Sequence, residues 1–290
     1  VSTHLRYGSV GSLQLLVQPG AAWVEPLNAY LGWMRSAQRS PGTIKQHSYA
    51  LRRFAADTLR DPYPVTVEQL ARYLGERGEL SPAALRSKRQ ALRGFYSWGQ
   101  LVGRWPDNPA RQLPVIRALV GVPRPAPEHS VRVGLQVADQ RVRVMMMLGV
   151  QVGMRCREIC LVATSDLQRD FVGWSLLVHG KGGRNRMVPI PDDLAAYIRR
   201  HDEGFLFPGL IDGHLSAAYV SKLISRALPP GVTAHQLRHR YGTRAYQLGG
   251  RDLRAVQVLL GHASVATTQI YVAVEDDAVR RAAMAAAAAS

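Results

Sequence analysis

The run Val122-Pro123-Arg124-Pro125-Ala126-Pro127 limits the fold of this chain more than any other stretch. Each proline fixes φ and removes a backbone donor, so neither a helix nor a central strand can pass through it. The sequence around it, from Asn108 to Glu128, carries no sustained apolar periodicity, as expected of an extended linker. A chain of 290 residues broken at that point has to fill a core on each side. The expected organisation is a tail over 1–20, a helical domain over 21–112, a linker over 113–129 and a second domain over 130–290.

Before the linker, apolar residues recur at helical spacing, which predicts helices over 23–34, 43–58, 67–74 and 83–102. Ser40-Pro41 and Ser81-Pro82 mark two of the starts, a capping hydroxyl followed by a residue whose missing N–H does no harm in the first turn. In the fourth helix Leu85, Leu92 and Tyr96 share one side, while Arg86, Arg89 and Arg93 follow a three-then-four step on another. That basic face is either a solvated surface or a surface for phosphate.

After the linker the pattern predicts a helix over 136–150, a short helix from Cys156, and two strands over 174–179 and 185–190. The strands are joined by Gly180-Lys181-Gly182-Gly183-Arg184, whose glycines permit the positive φ of a tight hairpin. Helices follow over 192–201, 216–228, 234–248, 253–260 and from Asp277 onward. The fold class is therefore mainly α with a small antiparallel β-sheet. The alanine-rich run ending at Ser290 favours helix. It is either a frayed tail or a helix that docks on a neighbouring subunit.

A formal net charge of +16 attracts polyanions and steers them in from solution. Nucleic acid is the leading partner, with acidic membrane as the other reading that charge alone permits. Cys156 and Cys160 lie four apart on a predicted helix, where two thiols cannot complete a tetrahedral zinc site, so they read as packing residues. The first twenty residues lack the pattern of a signal peptide, and no apolar stretch reaches the roughly 18 residues a spanning helix needs. The expected location is cytoplasmic.

Four segments of the second domain carry polar groups suited to cutting a phosphodiester. They are Gly153-Met154-Arg155-Cys156-Arg157-Glu158, the hairpin with Lys181, His235-Gln236-Leu237-Arg238-His239, and the run from Leu259 through His262 to Tyr271. Each alone has an ordinary explanation: Arg155 as an ion-pair partner of Glu158, Lys181 as a solvated turn residue, Tyr271 as core. Together they resemble the tyrosine recombinase family, which includes lambda-type phage integrases and Xer recombinases. The resemblance is loose before residue 130 and tight from Gly153 to Val272, and the nine-residue step from His262 to Tyr271 is its most specific part. Arg240, Tyr241 and Gly242 stand where the family pattern has a small hydroxylated residue, an aromatic and alanine, so the departures there concern helix packing.

The resemblance implies a two-lobed DNA clamp, in which a helical, SAM-like core-binding domain is joined to a mixed α/β catalytic domain. It implies Tyr271 as the nucleophile, Arg155 and Arg238 on the non-bridging oxygens of the scissile phosphate, and His262 as a third donor. His235 would accept or orient the tyrosine proton, Lys181 would protonate the departing 5′-oxygen, and Glu158 would buttress the site. The chemistry needs such a set, because a phenol with a pKa of about 10 is a poor nucleophile unless its proton is taken and the phosphate charge is stabilised. Neither metal nor nucleotide cofactor is implied. The partners implied are double-stranded DNA core sites and a homotetramer on two duplexes, with accessory DNA-bending or directionality proteins. Lys45, Arg86, Arg89 and Arg93 are the candidate DNA contacts of the first domain.

Two other classes compete. His235 and His239, four apart on a predicted helix, would suit a metallohydrolase, but residue 236 is Gln where a zinc-peptidase helix carries its glutamate base. A DNA-binding module without catalysis would use the same basic faces. Within the family, a phage or mobile-element integrase is favoured slightly over a Xer-like resolvase.

Overall fold

Serine caps and apolar stripes set the first helices of the structure, a computed structural model that describes residues 19–58, 61–76, 80–117, 124–180 and 182–261. The hydroxyl of Ser40 accepts the N–H of Thr43, and that of Ser81 accepts the N–H of Ala84, both at 3.3 Å. The helices are α1 (Ala21–Ser36), α2 (Pro41–Thr58), α3 (Val67–Gly75) and α4 (Pro82–Leu101). Thr66 and Gln69 cap α3 reciprocally.

These four helices belong to the first of two compact units, which divide between residues 120 and 121. Its core is aromatic: Trp23, Tyr30, Phe54, Phe95, Tyr96 and Trp105 are all buried. The polar ends of those rings are satisfied, since Tyr96 donates to the Pro62 carbonyl at 3.1 Å and Trp105 donates to the Tyr96 carbonyl at 3.0 Å. Gly99 is obligatory here, because a Cβ at that position would stand 1.8 Å from the Trp105 ring.

The second unit is built on α6 (Gln140–Gln151), whose Met145, Met146 and Leu148 are fully buried. Around it lie α5 (Glu128–Val137), α7 (Cys156–Ile159), α8 (Asp192–Arg199), α9 (Ala217–Ala227), α10 (Ala234–Leu248) and α11 (Leu253–Leu260). Strands β1 (Leu167–Arg169), β2 (Trp174–Val178) and β3 (Arg186–Ile190) form an antiparallel sheet in the order β1-β2-β3. The molecule is thus mainly helical with one small sheet. The β2–β3 turn uses its glycines as expected, with φ of 73° at Gly182 and 74° at Gly183.

Three local expectations are corrected. The helix predicted over 136–150 starts later, as α6 from Gln140, because Ala138 is extended and Asp139 caps the new start by accepting the Val142 N–H at 2.8 Å, while Gln136 and Val137 end α5. Helix α5 occupies residues read as linker and lead-in, and strand β1 was not foreseen. The helix expected from Asp277 onward and the alanine-rich tail lie outside the described residues, as do Lys181, His262 and Tyr271.

Candidate active site

Glu158 is the hub of the second unit's polar groups. It sits in α7 with 3% of its surface exposed, and its carboxylate accepts the backbone N–H of Arg155 at 2.9 Å and the Arg155 guanidinium at 2.8 Å. Arg186, from β3, donates to both carboxylate oxygens, at 3.1 and 3.0 Å. Arg238, from α10, brings a guanidinium nitrogen to 3.5 Å. Burial pushes the Glu158 carboxyl up, but the hydrogen bonds and charge of Arg186, the Arg155 N–H and the charge of Arg238 outweigh it and hold the group below the ordinary carboxylate range.

The two arginines of the sequence reading are therefore brought to one carboxylate from segments far apart in the chain, but they are placed differently. The Arg155 side chain is 40% exposed, whereas that of Arg238 is 2% exposed. Arg238 donates to the carbonyl of Gly153 at 2.5 Å and to that of Leu260 at 2.6 Å, and so links three segments of the unit. Gly153 adopts φ of 71°, and a Cβ there would stand 2.4 Å from the Tyr241 ring. The Tyr241 ring thus fills the space beside the first arginine segment. Arg240, which departs from the family pattern, pairs with Glu128 of α5.

His235 lies in the first turn of α10, where the Gln236 side chain accepts the Thr233 N–H at 2.6 Å. Burial and the charges of Arg238 and Arg155 lower its pKa, so the imidazole is neutral at neutral pH and able to accept a proton. The His239 ring lies against it in an edge-on arrangement, centroids 4.5 Å apart, and is pushed down to about 4 by burial, by His235 and by Arg238. Among the described residues, no group of three or more His, Cys, Asp or Glu side chains is placed to hold a metal ion. Cys156 and Cys160 are free thiols, both raised by burial.

The sequence pattern of the phage integrase family matches residues 129–278, which spans this constellation. The chain belongs to the phage integrase family of tyrosine recombinases. The tyrosine recombinase XerD of Caulobacter vibrioides is 31% identical over 284 residues, covering 87% of this chain and 92% of that protein. XerC of Xanthomonas campestris pv. campestris is 33% identical over 271 residues, covering 86% of this chain and 76% of its own. Among solved structures, the post-cleavage complex of XerH with palindromic difH has a TM-score of 0.67 at 22% identity, covering 83% of this chain and 78% of that one. A lambda integrase dimer bound to a COC′ core site has a TM-score of 0.65 at 19% identity, covering 84% and 96%. These two likenesses establish the fold.

In this tyrosine recombinase the candidate DNA contacts of the first unit are not all alike. Arg86, Arg89 and Arg93 line one cleft of about 610 Å³, together with Arg39, while exposed Lys45 lines a separate groove on α1 and α2. Arg89 is half-buried and donates to the Leu113 carbonyl at 2.7 Å, so it also anchors the segment after α4. Arg39, just after α1, borders both grooves and was missed in the sequence because it falls outside any periodic face. Arg186 was missed too. Its only sequence signal is an arginine opening the strand after the hairpin, which reads as solvated until its partner Glu158, 28 positions away, is known. No helix among the described residues is long and apolar enough to cross a membrane.

Proposed function

We propose that this recombinase cuts and rejoins duplex DNA at short core sites through a 3′-phosphotyrosine at Tyr271, in the integration and excision of a phage or mobile element. The observation that carries the reading is the meeting of Arg155 and Arg238 at one buried carboxylate, with a neutral imidazole at His235 under the influence of both charges. In the proposed step the Tyr271 oxygen attacks the scissile phosphorus and gives its proton to His235. The new bond joins phosphorus to the tyrosine oxygen, and the bond to the 5′-oxygen breaks. Lys181 supplies the proton that the departing 5′-hydroxyl needs. Arg155 and Arg238 hold the non-bridging oxygens with planar forks whose grip strengthens as charge builds, and His262 adds a donor. Bond energy is kept in the ester to tyrosine, so a 5′-hydroxyl from a partner duplex can reverse the reaction on a new strand.

Four protomers on two duplexes, working in the cytoplasm with accessory DNA-bending or directionality proteins, form the assembly this reading calls for. Double-stranded core DNA is the substrate class, in keeping with the core site bound by lambda integrase. Lys45, Arg86, Arg89 and Arg93 would hold its backbone. In this reading the core-binding domain runs over 21–112, the linker over 113–129 and the catalytic domain over 130–290.

A second reading, resolution of chromosome or plasmid dimers, is favoured by the 31–33% identity to XerD and XerC. The test of the chemistry is a nicked suicide duplex. The wild-type protein should give a covalent adduct that survives denaturation, with the label mapping to Tyr271. Tyr271→Phe should bind DNA nearly normally and form no adduct, and Lys181→Ala should load DNA and cleave slowly. An adduct formed by the Phe variant would reject the nucleophile. Recovery of genomic sites from recombination products separates the roles: joints between an element and its host support integration, and paired identical sites on one replicon support resolution.

A further inference from the structure

Arg186 opens β3 and pairs with Val178 at the base of the β2–β3 hairpin. Its side chain is 8% exposed, yet all its guanidinium nitrogens are engaged. Nη1 and Nη2 donate to the two oxygens of Glu158, at 3.1 and 3.0 Å, and Nε donates to the Leu259 carbonyl at 2.7 Å. The same carboxylate serves Arg155 at 2.8 Å and Arg238 at 3.5 Å. Three guanidinium groups against one carboxylate leave the cluster with a net charge of +2.

Removing Arg186 would leave Glu158 with only the other two arginines, at a net charge of +1. A carboxylate this buried needs donors for every lone pair, and a charge left short of partners draws the remaining ones closer. The groups it would draw on are the ones assigned to the scissile phosphate. We propose that Arg186 is a positioning residue for strand cleavage, occupying Glu158 so that Arg155 and Arg238 keep their charge and donors for the phosphate. The inference rests on the assignment of those two arginines under the proposed function. Arg186 itself touches no reacting atom. A purely structural role, tying β3 to α7 and to the end of α11, would use the same hydrogen bonds, so the test has to separate charge from stapling.

The experiment measures single-turnover formation of the covalent adduct on a nicked suicide duplex at saturating protein, alongside the Kd for the same duplex and the melting temperature of each variant. Arg186→Gln is expected to slow adduct formation about tenfold or more, since loss of one donor to a developing oxyanion costs on the order of 100-fold and this loss is indirect. Its Kd should stay within about threefold, because the many backbone contacts that dominate binding are untouched. Adding Glu158→Gln to that variant restores the net charge of +2 and should recover much of the rate, although it removes further hydrogen bonds. Arg186→Lys, which keeps the charge and loses the fork, should melt lower and cleave faster than Arg186→Gln. If Arg186→Gln does not fold, Arg186→Lys decides, with an expected rate within about tenfold of wild type. Wild-type cleavage by Arg186→Gln, a double variant no faster than the single one, or an Arg186→Lys variant that folds yet cleaves more than about tenfold slower than wild type would each overturn the inference. Tyr271→Phe, run in parallel, keeps the two proposals apart. An adduct from that variant defeats the proposed function, whereas its absence, with Arg186→Gln as fast as wild type, defeats only the role of Arg186.

Discussion

His239 and Glu158 are both held away from their ordinary titration ranges, and in directions that make the second unit sensitive to acid. His239 is lowered from 6.5 to about 4. Below pH 6.5 the unfolded chain takes up a proton that the folded chain refuses until about pH 4, so lowering the pH favours unfolding across that window. Glu158 is lowered below 4.5, so its contribution is present above that pH and is lost as the pH falls through its folded value. The melting temperature should therefore fall steadily from pH 6.5 towards 4. His239→Gln should flatten the upper part of that slope, as measured by circular dichroism in matched buffers. A wild-type melting temperature that does not move across the window would show that the imidazole is not held neutral by its surroundings. At this scale the motifs carried two residues, Arg155 and Arg238, that the structure brings to one carboxylate, Glu158. They did not carry Arg186, whose role depends on a contact made only when β3 packs against α7.

Helix starts were legible wherever a capping side chain preceded a proline or a long apolar stripe, as at Ser40 and Ser81. They were illegible where the stripe simply ran on. The predicted helix over 136–150 keeps its apolar residues across the break, with neither Gly nor Pro at Ala138-Asp139, and Asp139 was the one available signal. Strand β1 has three residues, two of them polar and exposed, and exists because β2 pairs with it. The caps give a direct test. Ser81→Ala and Asp139→Ala should each cost about 1 kcal/mol, the usual value for a lost N-cap, in urea denaturation followed by circular dichroism. The effect of Asp139→Ala should be the larger if the α5–α6 break is held by the cap and not by packing. Equal stability of wild type and Asp139→Ala would mean that packing alone sets the break.

At the scale of the molecule, charge governs how the protein meets its substrate. A net charge of +16, carried mostly by arginine, implies release of many counterions when a duplex binds. Raising the salt from 50 to 200 mM should weaken binding by roughly 10³-fold or more if six or more phosphates are neutralised, measured by fluorescence anisotropy with a labelled duplex. A shallow slope would confine the contacts to a few residues. If Arg93 holds a phosphate, as proposed, Arg93→Ala should reduce that slope by about one phosphate without altering sequence preference, because phosphate contacts carry no base information.

The double duty of Arg238 bears on how inactive forms of this protein ought to be made. Its guanidinium joins Gly153 to Leu260 inside the second unit as well as facing Glu158. Replacing it removes a rivet of the architecture along with the phosphate ligand proposed above, so a silent Arg238 variant says little about chemistry until its folding has been checked. For trapping the protein on DNA in an intact but unreactive form, the phenolic oxygen of Tyr271, the proposed nucleophile, is the safer atom to delete.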